Sequence, residues 1–332
     1  MTRLLTLLVT LTCVAVSSEP AAAYLKLGTR VDTRTVTLRW EDFPVRYFVS
    51  NIAGGGVSAI ELRDAVNRAF TTWTSVETAT ITAEFAGMTA ARPNDEDGMT
   101  VIGFAERRDQ DRTLGATSFL IDTLTGEIVE AEIFLNSAFA WSVAPNGQAD
   151  RFDVESIALH EIGHLFGLGH SALGETELRN GGRRVLAAEA VMFPVAFSAG
   201  TIQGRTLRAD DIAGISDTYP SASYRRDRGS LSGRVTRNAQ GVLGAHVVAF
   251  NLQTGKLVGG FSLNEDGRFV IGGLEPGPHA LRVEPLDDGD VESFFDLTLN
   301  IDADFRAKFH DRIIVVPRGG GTDNVEITVE PK

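Results

Sequence analysis

Apolar residues recur at helical spacing along SAIELRDAVNRAFTTWTSV, where Leu62, Ala65, Ala69, Phe70 and Trp73 share one side and Ser58 stands at the capping position. A second helix is predicted in DVESIALHEIGHLFGLGHS, with Asp153 at its N-cap and Glu155 in its first turn. A shorter third helix is expected in RADDIAGISDTY, residues 208–219. WEDFPVRYFVSN, before the first helix, reads as a strand, and TITAEF, MTVIGFA, ATSFLID and GEIVEAEIFLN, between the first two, as further strands of one sheet.

The texture changes after Pro220. SASYRRDRGS is polar and charged and reads as a linker, assigned to residues 222–228. Beyond it, short strand patterns such as GRVT, AHVVAFNL, KLVGGFSL, GRFVIGGL and NVEITVEP alternate with the turn formers NAQG, TGK, NEDG and EPGP. Many short strands without an intervening helix predict an all-β sandwich over 229–332. A chain of 332 residues is long enough for two such cores.

The first 23 residues, MTRLLTLLVTLTCVAVSSEPAAA, have a basic start, an apolar run from Leu4 to Val16 and small residues before Tyr24. That is the pattern of an export signal cleaved near Ala23 and Tyr24, which predicts a secreted, extracellular protein without a membrane span after cleavage. An uncleaved anchor is the alternative, although the run is short for a span. The lone cysteine, Cys13, lies inside this segment, so the mature chain has neither disulfides nor thiolate ligands. A formal net charge of −13, with 44 acidic against 31 basic residues and no basic run, argues against nucleic acid and anionic membranes as partners.

Three of the chain's six histidines, His160, His164 and His170, fall within eleven residues. His160 and His164 stand one helical turn apart on the same face, so both rings can meet one ion. Glu161 can address a water on that ion without being a ligand. Gly167 tolerates a left-handed backbone, which allows the helix to stop and the chain to return His170 from another direction. Three imidazoles with an open fourth position suit a catalytic Zn(2+) ion. The competing reading is a helix whose histidines decorate its surface.

HEIGHLFGLGHS resembles the zinc signature of the metzincin metallopeptidases, and Ser171 after the third histidine resembles the matrixin branch. AVMFP, with Met192, is similar to the methionine turn of that family, and LRADDIAGISDTYP to the matrixin C-terminal helix. Trp40, Tyr47 and the helix ending at Trp73 match the way matrixin domains begin. The resemblance covers about 24–220 and implies an α+β fold: a twisted mixed sheet with an active-site helix over 24–221, followed by the sandwich. It also implies a zinc endopeptidase acting on protein or peptide substrates, with Glu161 as general base and His160, His164 and His170 as ligands.

The chain departs from the family in lacking a cysteine-switch propeptide and any histidine before His160, where structural-zinc ligands would lie. GETELRNGGRRVLAAEA lengthens the path from His170 to Met192 and is expected near the rim of the substrate cleft. LGATSF, residues 114–119, is the expected edge strand for an extended substrate. Several readings stay open at this level. Met192 can be ordinary core. Asp210 and Asp211 can be a helix-start charge pair or a partner for the mature N-terminus. RPNDEDG, residues 92–98, and Glu130 with Glu132 can hold Ca(2+) or be merely solvated. His246, His279 and His310 suit core or surface positions.

The region from GRVTRNAQG onward resembles the carboxypeptidase regulatory-like domain, which implies a transthyretin-like sandwich without catalysis. Such a domain can stabilise the enzyme, bind substrate or attach it to a surface or matrix. The alternative function is a catalytically silent zinc protein that binds or adheres through the sandwich.

Overall fold

The computed structural model describes residues 4–7, 26–31, 34–93, 95, 97–179, 182–295 and 299–332. Of the expected export signal, only Leu4–Leu7 lies among them. The first half is built on a mixed sheet of β1 (Val45–Ser50), β2 (Ala83–Thr89), β3 (Thr100–Ala105), β4 (Gly115–Asp122) and β5 (Ile128–Asn136). Their order is β4-β5-β3-β1-β2, with Leu4–Leu7 paired outside β4 along Phe119–Asp122. β4 and β5 are antiparallel, whereas β5, β3, β1 and β2 run parallel.

Helix α1 (Ala59–Thr74) starts at Ser58, which forms a reciprocal capping box with Glu61. Its stripe of Leu62, Ala65, Val66, Ala69, Phe70 and Trp73 is buried. Helix α2 (Val154–Leu165) begins at Asp153, whose carboxylate accepts from the Ser156 N–H. The two helices and the sheet share one core. Phe70 stacks on Tyr47 of β1 with ring centroids 3.7 Å apart, and the Trp73 indole N–H donates to the Leu159 carbonyl across 2.8 Å. Removing a buried aromatic of this size costs about 3–5 kcal/mol, so these contacts hold α2 firmly beneath the sheet.

The end of α2 is tied with equal care. Gly167 has φ +87°, and a Cβ there would meet the Leu38 carbonyl oxygen at 2.3 Å, so only glycine fits the turn. The Trp40 indole donates to the Leu165 carbonyl at 2.8 Å, and the Tyr219 hydroxyl donates to the Phe166 carbonyl at 3.0 Å. Tyr219 caps α3 (Ala209–Thr218), so the third helix secures the second.

After His170 the chain makes a hairpin, β6 (Gly174–Arg179) and β7 (Gly182–Ala188), before returning to Met192. The stretch expected as a linker is instead a short helix, α4 (Ala222–Asp227). Its charge pattern hides one apolar anchor, Tyr224, which is buried and donates to Asp217 of α3. From Gly229 onward the described residues form two sheets. One joins β8 (Gly229–Arg237), β11 (Arg268–Leu274) and β14 (Gly321–Thr328); the other joins β9 (His246–Asn251), β10 (Leu257–Phe261), β12 (Gly277–Glu284) and β13 (Ile314–Val316). Leu231, Phe269 and Ile327 from the first meet Val247, Leu281 and Val283 from the second in one buried core. No described helix is long and apolar enough to cross a membrane.

Candidate metal centre and active site

Helix α2 presents His160 and His164 on one face, and the turn at Gly167 brings His170 back over them. The three ring centroids are 4.7, 4.8 and 5.3 Å apart. In each ring Nδ1 faces a backbone carbonyl: Val191 at 2.7 Å for His160, Leu168 at 2.8 Å for His164 and Ser293 at 2.6 Å for His170. A carbonyl oxygen only accepts, so Nδ1 carries the proton and each Nε2 keeps its lone pair. Nε2 of His160 and Nε2 of His164 lie 3.1 Å apart, a distance at which two lone pairs repel unless a cation stands between them.

The donor set fits zinc. One nitrogen from each of the three rings lies within 4.8 Å of the others. Burial lowers all three imidazole pKa values, that of His170 to about 3, which keeps the rings neutral and ligand-ready at physiological pH. Oriented Nδ1–H groups are the usual support of zinc-binding histidines.

Glu161 is buried beside this group, and its Oε2 accepts from the Thr117 hydroxyl of β4 at 2.8 Å. Burial pushes its carboxyl up to about 7, with the Thr117 bond opposing the shift. The strand backbone comes close enough that a Cβ at Gly115 would stand 3.1 Å from Oε1. A cleft of about 660 Å³ opens over the histidines and Glu161, bordered by Leu114–Ser118 on one side and by Val191 and residues 193–197 on the other.

Met192 is buried directly under α2. A Cβ on Gly163 would fall 2.3 Å from its sulfur and 2.8 Å from Trp73. Asp211 accepts from the N–H groups of Val191 and Met192 at 2.9 and 3.1 Å, so α3 holds the methionine turn and, through it, the carbonyl that orients His160. Asp210 points the other way and accepts from Gly259 of β10 at 2.8 Å. Both aspartates lie in the first turn of α3, as expected of a helix-start pair, and Asp211 also accepts from the Arg208 N–H at 2.8 Å; the reaches to the methionine turn and to β10 carry no sequence signature.

The two acidic stretches considered for calcium come together. Asp97, Glu130 and Glu132 lie within 4.8 Å of one another. Glu130 accepts from the Gly98 N–H and Glu132 from the Val101 N–H, which ties the loop onto β5. His246 and His279 are buried among the C-terminal sheets and His310 is half-buried, all apart from the histidine trio.

The hairpin leans on the C-terminal half. The Thr176 N–H donates to Asp288 at 2.7 Å, and Arg183 reaches Asp290 and the Asp287 carbonyl at 3.2 and 2.9 Å. Ala172 joins Phe261, Leu286, Phe294 and Phe295 in one apolar cluster, and Leu173 and Ala190 join Val248 in another.

The matrixin family (Peptidase_M10) matches residues 39–220. The chain is 29% identical over 194 residues to metalloendoproteinase 5-MMP of Arabidopsis thaliana, covering 54% of this chain and 46% of that protein. It is 32% identical over 160 residues to metalloendoproteinase 1 of Glycine max, covering 46% of this chain and 40% of that protein. The chain thus spans less than half the length of these relatives. BcpA, the major pilin subunit of Bacillus cereus, is similar over 32% of this chain and 31% of its own, at 13% identity and a TM-score of 0.22, which carries no argument about the fold.

Proposed function

From the premise that the chain belongs to the matrixin family of peptidases, we propose that it is a secreted zinc metalloendopeptidase in which Glu161 is the general base. The observation that carries this reading is the convergence of three Nε2 lone pairs beside a buried carboxylate at the floor of one cleft. His160, His164 and His170 hold the ion. Zinc so held supplies a Lewis acid that acidifies water and polarises a carbonyl.

The chain's own residues do the rest. Thr117 occupies Oε2 of Glu161 and leaves Oε1 to take the proton of the attacking water. A buried carboxylate with one oxygen free can accept that proton and return it to the leaving amine. An extended substrate adds along the outer edge of β4 at Leu114–Ala116, where backbone groups position the scissile bond and the apolar wall of Val191 and residues 193–197 excludes water. The matrixin-type segment is 24–221, followed by 222–228 and the sandwich at 229–332, and the substrates are extracellular proteins.

Zymography of the purified mature chain tests the proposal. Lysis of a protein substrate is expected, abolished by a chelator and restored by added zinc. A chain that binds one equivalent of zinc yet cuts no protein or peptide overturns the enzyme reading in favour of a silent binder.

A further inference from the structure

Two of the three carbonyls that orient the histidines come from the matrixin segment itself: Leu168 lies four residues beyond His164, and Val191 belongs to the methionine turn. The third does not. Ser293 lies 123 residues after His170 and outside the 39–220 match. Its carbonyl nevertheless takes up the same relation to Nδ1, at 2.6 Å against 2.7 and 2.8 Å for the other two. A contact that served only packing would need no such repetition of donor, acceptor and distance.

The segment bearing Ser293 is built to be rigid. Val291–Ser293 forms a 3₁₀ turn closed by N–H groups of Ser293, Phe294 and Phe295, at 2.8 to 2.9 Å from their acceptors. Phe294 and Phe295 are buried, packing on Phe261 with centroids 5.9 and 5.2 Å away, and the Phe294 ring stands edge-on to His170 at 6.3 Å. Asp288 and Asp290 fasten the preceding loop to the hairpin through Thr176 and Arg183. A Cβ on Gly289 would meet the Phe294 ring at 2.6 Å, so the strap closes on its own aromatic anchor.

We propose that the Ser293 carbonyl is a positioning group for the metal centre: it fixes the tautomer and orientation of His170, so that the C-terminal sheets complete the zinc site. The proposal rests on His170 being a ligand. Without an acceptor at that point, a buried Nδ1–H has no partner, and the ring is free to flip its nitrogen away from the ion. The C-terminal half is then neither a tether nor a spacer but part of the peptidase.

The full-length zinc-loaded protein tests this. Zinc stoichiometry of the parent is measured first, and a parent without one equivalent overturns the metal reading and the inference with it. In the parent, the His170 Nδ1–H resonance is expected to cross-relax with protons of Ser293 and Phe294; its absence overturns the proposal whatever the variants do. Phe294→Ala and Gly289→Ala are expected to weaken zinc affinity by about 10- to 100-fold, the usual range for loss of a ligand's supporting partner. Both are also expected to shift the visible bands of the cobalt-substituted protein. Val325→Ala, in the C-terminal core, is the control: it lowers the melting temperature but leaves zinc affinity and cobalt bands at parent values. Strap variants that behave like this control overturn the inference.

Discussion

The Thr117 hydroxyl lies 2.8 Å from Oε2 of Glu161 and 3.0 Å from the carbonyl of the same residue, which links the strand at the cleft edge to the helix that carries the histidines. One side chain therefore sets both the height of α2 against β4 and the direction of the carboxylate. Glu161→Gln preserves the size of the group and removes the base. We expect zinc content and melting to stay at parent values while kcat/KM falls at least about 10²-fold, the lower range for general base catalysis. Thr117→Val should lower kcat/KM by about 10-fold, as a hydrogen bond to a charged group contributes roughly 1.5 kcal/mol. Peptide hydrolysis undiminished in Glu161→Gln would sink the mechanism.

Gly163 offers a test with an unusual sign. In an exposed helix, glycine to alanine stabilises by about 1 kcal/mol. Here the added methyl meets the Met192 sulfur and Trp73 at distances no packing tolerates. Gly163→Ala is expected to destabilise by about 1–3 kcal/mol, the range for overfilled cores. Combining it with Met192→Ala should recover part of that loss, and additive effects in a thermal-melt cycle would show that the two residues do not collide.

Asp211 holds three backbone N–H groups, those of Val191, Met192 and Arg208. Asp211→Ala leaves them without their acceptor, at about 1–3 kcal/mol for each that stays buried and unpaired. Because Val191 in turn orients His160, zinc affinity is expected to fall together with melting temperature. A variant that melts lower but retains parent zinc affinity would separate the methionine turn from the metal site.

Stability should depend on pH through Asp210. Burial pushes its carboxyl up to about 7, against hydrogen bonds from Ser171 and Gly259. An acid whose pKa is higher folded than unfolded contributes its stability below the unfolded value near 4, and that contribution is lost as pH rises to about 7. The melting temperature at saturating zinc is therefore expected to drop more steeply between pH 5 and 8 in the parent than in Asp210→Asn, which keeps an acceptor for Gly259 without a charge. Parallel curves would count against a buried, proton-holding Asp210.

Local geometry was legible in the sequence wherever a short segment carries its own signature. Ser58 and Asp153 announce helix starts, Gly167 a left-handed turn, and histidines four apart a shared helix face. What stayed hidden are bonds between a side chain and a distant backbone group. Nothing in LGATSF marks Thr117 as the partner of Glu161, and the residue type of Ser293 is irrelevant to the carbonyl it offers. The charges of 222–228 concealed Tyr224, whose single buried ring turns an expected linker into a packed helix. Likewise, the hairpin was visible as extra length, but its lean onto Asp288 depends on a loop more than a hundred residues away.

That extra length leaves and re-enters the fold at nearly one point. The Ser171 N–H donates to the Met192 carbonyl at 2.9 Å, and the Glu189 N–H to the Leu173 carbonyl at 2.8 Å. The ends of the excursion are thus clamped to each other before the strands begin, and closing a loop already pinned at its base adds little entropy cost as it lengthens. The stem acts as a socket. A segment exchanged there that keeps Thr176 and Arg183, which hold the loop before Ser293, can alter what the cleft admits while the base of the excursion stays closed.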